Sequence, residues 1–424
     1  MPSNHYIVAN RIIRQQGGRI LTVRTTTVLA VATIAIVLCA SIVTAMYRED
    51  PKDEPVIAEG LPKFTISGET DLPGNIFVSF VFTKNLIMFD GKGNIVWSLH
   101  EDLDPGVAGG TWDFKKHVID GKVYYSYHDQ DVTQDKYGIE GFAPGDRVIM
   151  DASFKEVKRI RFEASDTVEK GRALDGHDFL LIDLNHYIMS GYIKQVVYNV
   201  PGYPDGSSVV YSYLQEVKDG EVVWDWKSID YPELYSLTVT DAVATANDFA
   251  NQYTDAPDYV HFNAMRLNDD GDLVCSFRHL NTIMCLDRTK QTDQIKWKLS
   301  GNADMYSLSD DQRTSSQHYA TVTGDEIMAF DHHNSTERTR IVTYDVDMHN
   351  KTLNSFKEYR IDGKFSSACG SAQRISGDLF MIGWGCTEND AVCFSVYDFS
   401  TNKELMSMML DAPQNFTYRC VYYD

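Results

Sequence analysis

NLIMFDGKGNIVWSL, residues 85–99, decides the fold. An apolar, strand-favouring run ends at Asp90-Gly91, the chain turns through Gly93-Asn94, and a β-branched pair leads to Trp97. Asp-Gly and Gly-Asn supply the positive-φ positions that a tight antiparallel connection needs. The closing token returns along the chain: GNIVW ends at Trp97, GEVVW at Trp224 and DQIKW at Trp297. HVIDGKVYYSY, LNDDGDLVCSF and RISGDLFMIGWG have the same texture from about Lys63 onward. Helical periodicity is almost absent, and the best helix candidate is an insertion, DAVATANDFANQY at 241–253. Repeated four-stranded units of about 40 to 65 residues, each with an indole on the same strand, predict a β-propeller. Six blades suit the length, and the fold class is therefore all-β, a six-bladed β-propeller over 63–424. A large β-sandwich with unrelated Trp residues is the alternative.

Upstream the texture is different. TTTVLAVATIAIVLCASIVTAMY, residues 25–47, is uncharged and long enough to cross a hydrocarbon core of about 30 Å. Arg11, Arg14, Arg19 and Arg24 precede it, whereas Glu49, Asp50, Asp53 and Glu54 follow it. The positive-inside rule places 1–24 in the cytoplasm, makes 25–47 a single N-terminal transmembrane helix, and puts the chain after Tyr47 outside the cell membrane. Residues 48–62 form a charged, Pro-containing linker. Val43-Thr44-Ala45 also fits a signal-peptide cleavage site, which is the competing reading.

The 424-residue chain carries a formal charge of -21. Such a surface offers nothing to phosphate backbones and excludes nucleic acid as a partner. It also means that any anion site must be assembled locally from Arg and His. Of the seven cysteines, Cys39 lies in the apolar segment and the other six have no metal-ligand spacing. A turn centred on Leu280 would set Cys275 directly opposite Cys285, as a disulfide or a reduced buried pair. Asn334, Asn350 and Asn415 head glycosylation sequons, about as many as chance provides.

Four stretches put His or Arg among strand and turn residues: LDGHDFLLIDLNHYIMSGY around His177, DYVHFNAMRL around His261, LVCSFRHLNTI around Arg278, and SSQHYATVTGDEIMAFDHHN around His318. On the innermost strands of a propeller such groups converge on one pocket, although each His taken singly is a satisfied structural residue more often than not. A guanidinium at a hairpin end can turn its planar fork toward an oxyanion. There is no G-x-S-x-G, H-E-x-x-H or P-loop. The Asp-Gly turns explain DGKGN and LNDDGD without Ca²⁺, and the His332-His333 pair reads as loop.

The order of these segments resembles the bacterial arylsulfate sulfotransferase family. The matching features are HD at 177, DYVHFN at 258, SFRH at 276, IKWKLSG at 295, QHYA at 317, FD at 330, GSAQR at 370 and WG at 384. The resemblance implies a six-bladed propeller, exported or membrane-anchored, that moves a sulfuryl group from an aryl sulfate to a phenol through a sulfated histidine. It implies no nucleotide donor, no cofactor and no metal. His318 would be the sulfated residue, with His177, His261 and Arg278 completing the catalytic set and Asn263 contacting sulfate. The family's Asn-Gly turn after the HD strand is Asn185-His186 here, which sets His186 beside His177 as a rival, and the small N-terminal sandwich of some members has no room.

The chemistry agrees with the resemblance. A sulfuryl group in transfer spreads charge over three oxygens, so positioning and N–H donors dominate catalysis. A neutral imidazole nitrogen both attacks and leaves well. His177 or His261 would carry the proton to and from the phenol oxygen. The expected partners are small aryl sulfates and phenols, with the membrane engaged through the N-terminal helix. A membrane-tethered propeller that binds a ligand without catalysis is the alternative function.

Overall fold

The computed structural model describes residues 56–105, 107, 109–131, 141–239, 249–251, 256–387, 391–411 and 416–424. The segment 25–47 expected to span the membrane, and most of the helix expected at 241–253, lie outside these residues. Among the described residues no helix is long and apolar enough to cross a membrane. The described chain is all β, with helix confined to short 3-10 turns.

Six four-stranded antiparallel units follow one another, spanning residues 75–101, 111–160, 179–227, 262–299, 318–359 and 371–410. The first is completed by a late strand, Thr417–Tyr423, which pairs with Asn75–Phe80. The last gains an early strand, Phe64–Gly68, along Lys403–Leu410. Thr417–Tyr423, Thr111–Ile119, Phe179–Asp183, Phe262–Leu267, His318–Thr323 and Ser371–Ser376 are the innermost strands. Each packs on the next, and the last packs back on the first. This cyclic order is propeller-like, and exchange of strands between the two ends of the chain ties the ring at two places.

The recurring Trp token has a structural cause. Trp97, Trp224 and Trp297 all sit on the outermost strand of their units, opposite Met88, Glu216 and Cys285. In each case the pairing then skips one residue, Val96, Val223 or Lys296, as a β-bulge. The same skip occurs at Val157, Asn354 and Leu405 in the other three units, where Lys158, Ser355 and Met406 stand in the Trp position. A bulge bends and twists the strand it interrupts. Six copies at one place give every unit the same outward curl.

The hairpin around Arg278 departs from expectation. Its turn is a 3-10 turn, Arg278–Leu280, and Phe277 pairs with Thr282. Cys275 therefore pairs with Met284, while Cys285 pairs with Val274. A one-residue difference in register sends side chains to opposite faces. Cys275 packs between the third and fourth units and Cys285 between the fourth and fifth, so they do not face each other.

Candidate active site

The innermost strands begin at one end of the ring, and there the sequence-selected residues meet. His177 precedes Phe179–Asp183, His261 immediately precedes Phe262–Leu267, and His318 opens its strand. The rings of His177 and His261 are 5.0 Å apart, and Trp112 stands 5.5 Å from His177. The Tyr192 ring lies 5.6 Å from His177 and 5.5 Å from His261. Tyr418 donates its hydroxyl to the His177 carbonyl at 2.7 Å. All four candidate catalytic groups are buried. The rival His186 lies elsewhere, at the turn of the hairpin that Phe179–Asp183 begins, bonded to Glu216 at 2.6 Å.

Two of the histidines are held by carboxylates. His177 Nδ1 lies 2.5 Å from Asp175 Oδ1, which also accepts the His177 backbone N–H at 2.9 Å. His261 Nδ1 lies 2.5 Å from Asp258 Oδ2, and its N–H reaches Asp258 Oδ1 at 3.1 Å. The second clasp holds a backbone that L-residues seldom adopt, since His261 has φ +50°. Each carboxylate fixes its ring and directs Nε2 away from it.

The two pairs differ electrostatically. Burial works to raise the Asp175 carboxyl, but His177 and the Ala143 N–H outweigh it and hold it below its ordinary range. Burial pushes Asp258 up to about 6. It also depresses His261 far below its ordinary value, aided by His177 and Arg278. His279 Nδ1 donates to the Asp258 carbonyl at 2.6 Å. Asp258, His261 and His279 offer ligand atoms within 4.8 Å of one another. A metal there would have to displace these hydrogen bonds.

His318 belongs to a chain of hydrogen bonds that sequence reasoning missed. His332 Nδ1 donates to the Ser366 carbonyl at 2.7 Å, and His332 Nε2 lies 3.0 Å from His318 Nδ1. A carbonyl oxygen can only accept, so the proton of neutral His332 is on Nδ1 and its Nε2 accepts. His318 Nδ1 is then the donor, and its second neighbour, the Ser316 carbonyl at 3.3 Å, requires the same. The lone pair of His318 is left on Nε2. Burial, with Arg278 nearby, brings His332 down to about 3. Burial also holds His318 neutral, with His332, Arg278, His177 and His261 all adding in the same sense.

Arg278 is tied into this cluster by its backbone, which donates to the His261 carbonyl at 2.8 Å. Its Nη2 reaches the Ser367 carbonyl at 3.4 Å. Asn263 is fully buried, and its Nδ2 donates to the Gln317 carbonyl at 2.8 Å. One of its two amide N–H groups is thus bonded to the backbone just before His318.

One layer further along, the centre of the ring is filled with charge. Lys115 bonds Asp178, and also Asp113 at 2.9 Å. Arg147 and Arg419 reach Asp113 at 2.9 and 2.6 Å, and Arg266 reaches Asp178 at 2.9 Å. Burial opposes ionisation of Asp178, but Lys115, Arg266 and Arg419 hold it far below its ordinary range. Beyond this layer, at the opposite mouth, lies a cavity of about 560 Å³ lined by Lys116, Tyr319, Gln373 and Arg374 among others. None of His177, His261, His318 and His332 lines it.

Residues 127–389, more than half of the chain, match the family described as arylsulfotransferase (ASST). The chain belongs to the arylsulfotransferase family. The match contains His177, His261, Asn263, Arg278, His318 and His332. No curated protein sequence matches the chain. Among solved structures, similarity is distant. A protein of unknown function from Bacteroides caccae is 10% identical over 83% of this chain and 99% of its own, with a TM-score of 0.43. BamB from Moraxella catarrhalis is 12% identical over 80% and 73%, with a TM-score of 0.32. Saccharomyces cerevisiae Sqt1 is 7% identical over 81% and 85%, at 0.38.

Proposed function

We propose that this arylsulfotransferase is a membrane-tethered six-bladed propeller, its catalytic domain outside the cytoplasm, that transfers a sulfuryl group from an aryl sulfate to a phenol through a covalent adduct on His318 Nε2. Family membership supports aryl sulfotransferase activity. The observation that carries the residue assignment is the chain from the Ser366 carbonyl through His332 to His318, which leaves one nitrogen lone pair on Nε2 beside Arg278, His177 and His261. The apolar segment 25–47, with arginines on one side and carboxylates on the other, supports the tether.

The reaction balances in two displacements. In the first, the His318 Nε2 lone pair forms an N–S bond while the S–O bond to the aryl group breaks. The electron pair goes to the phenolic oxygen, which takes a proton from His177. In the second, His177 removes the proton of the acceptor phenol, whose oxygen attacks sulfur as the N–S pair returns to Nε2. His177 suits the proton role better than His261, because Asp175 stays ionised and stabilises an imidazolium, whereas His261 is buried against charge. Arg278 and the His177 imidazolium neutralise charge on the sulfuryl oxygens. Because His332 is so weakly basic, it leaves the proton on His318 Nδ1. The sulfated ring then stays cationic and remains a good leaving group. Asn263 acts from behind, holding the backbone at Gln317.

The test is turnover of a chromogenic aryl sulfate by the purified protein, with and without added phenol, followed by peptide mapping for sulfated His318. Parallel double-reciprocal plots and loss of both cleavage and transfer in His318→Ala are expected. Transfer at near wild-type rate by His318→Ala, or kinetics that require a ternary complex, would overturn the mechanism. Binding of the aryl sulfate without cleavage would instead identify a ligand-binding module.

A further inference from the structure

Four of the six cysteines in the described chain are buried: Cys275, Cys285, Cys393 and Cys420. Cys369 and Cys386 are the two partly exposed ones, and they are the two that meet, with sulfurs 3.6 Å apart. Their backbones are already joined. Ala368 and Cys386 form an antiparallel bridge, Cys386 N–H donates to the Ala368 carbonyl at 2.9 Å, and Ser367 N–H donates to the Cys386 carbonyl at 2.9 Å. A disulfide needs sulfurs about 2.05 Å apart, so closure asks for side-chain rotation with the chains already side by side.

The pair also occupies a meaningful place. The loop before Cys369 supplies the carbonyls on which the site leans: Ser366 accepts from His332, and Ser367 from Arg278 and Asn334. Trp384, two residues before Cys386, is anchored deep in the sixth unit, with Nε1 donating to Ser395 Oγ at 2.9 Å. A bond between the two sulfurs would fasten the carbonyl-bearing loop to that anchor.

We propose that Cys369 and Cys386 are a disulfide site, closed by thiol–disulfide exchange with an external disulfide such as oxidised glutathione, and that closure clamps the loop holding Arg278 and His332. In the exchange, the Cys369 thiolate attacks the external disulfide and expels one thiolate. Cys386 gives up its proton and attacks the mixed disulfide, expelling the second. The two protein thiols lose two electrons and two protons, and the external disulfide is reduced to two thiols. Its hydrogen bond to Cys369 holds the Cys386 thiol well above its ordinary range, so Cys386 keeps its proton while Cys369 makes the first attack. The crosslink encloses the chain between 369 and 386, which constrains the unfolded state.

The experiment uses the full chain, reduced and then equilibrated with oxidised glutathione, with a non-reducing peptide map and thermal melts of both forms. A Cys369–Cys386 crosslink is expected, with the other five thiols free and Tm higher in the oxidised form. Cys386→Ser should form no crosslink and show one Tm in both buffers. Where that variant folds poorly, reduced wild type blocked with N-ethylmaleimide should behave the same way. Cys369 and Cys386 both still alkylatable after saturating oxidant, a stable glutathione adduct on either, or pairing with another cysteine would overturn the site. A crosslink with unchanged Tm would overturn the clamp. A longer half-life of aryl sulfate turnover in the oxidised form is the one expectation that rests on the proposed function. Because mass and melting need no turnover, failure of the disulfide is distinguishable from failure of the enzymatic reading.

Discussion

His332 Nε2 stands 3.0 Å from His318 Nδ1, at the end of a hydrogen-bond chain that starts from a backbone carbonyl. The arrangement chooses which nitrogen of His318 is nucleophilic. His332→Phe should lower kcat about 10- to 100-fold, the usual cost of losing a group that orients a functional histidine. Donor KM should change little. His332→Gln can accept from His318 and donate to Ser366, so it should recover most of the loss. Equal activity of the Phe and Gln variants would remove the orienting role.

Asp175 should matter through the tautomer it imposes. In Asp175→Asn the amide can donate to His177 Nδ1 and drive the proton to Nε2, where the phenol proton must be received. A fall in kcat on the order of 10³-fold or more is expected. It should be smallest for acceptor phenols acidic enough to react as phenolates, so the checking measurement is a series of acceptors of graded phenol pKa.

Arg278→Lys keeps the charge and loses the planar fork. A loss of about 10²-fold in kcat/KM is expected for aryl sulfate donors. An unchanged specificity constant would mean that the planar fork is not what engages the donor.

The buried histidines set the acid limit of stability. His332 and His279 are brought down to about 3, and His128 to about 4, chiefly by burial. Between those values and the ordinary histidine value near 6.5, the unfolded chain binds protons that the folded chain refuses. Stability is therefore full above about pH 6.5 and falls steadily as pH drops toward 4. Asp258, raised to about 6, opposes this, because its protonation favours the folded state as pH falls below 6. One carboxyl does not offset three histidines. Thermal melts from pH 8 to pH 4 should show a falling Tm, shallower in His332→Phe.

Much of this was readable in advance, for identifiable reasons. Turn chemistry and the Trp token report local geometry, and the three Trp residues do occupy one position in three units. His177, His261 and His318 were selected individually and meet because inner strands start together. Ring closure is invisible locally, since Thr417–Tyr423 completes a unit more than 300 residues earlier. His332 reads as loop in the sequence, although it carries a signal. Counting back from the Gly324-Asp325 turn sets His318 opposite the 330–332 stretch, and Phe330 is its observed partner. The cysteine pairing failed because a 3-10 turn shifted the register by one residue.

The charged layer at the ring centre has a consequence for traffic. Asp113 and Lys115 on one inner strand, Arg419 on another and Asp178 just before a third are nearly inaccessible to solvent and locked to one another. Among the described residues, this layer closes the centre of the ring behind the histidines. On the proposed chemistry, the departing phenol and the arriving one both use the histidine side of that layer, in turn. A covalently stored sulfuryl group is what lets one room serve two visitors who cannot occupy it together.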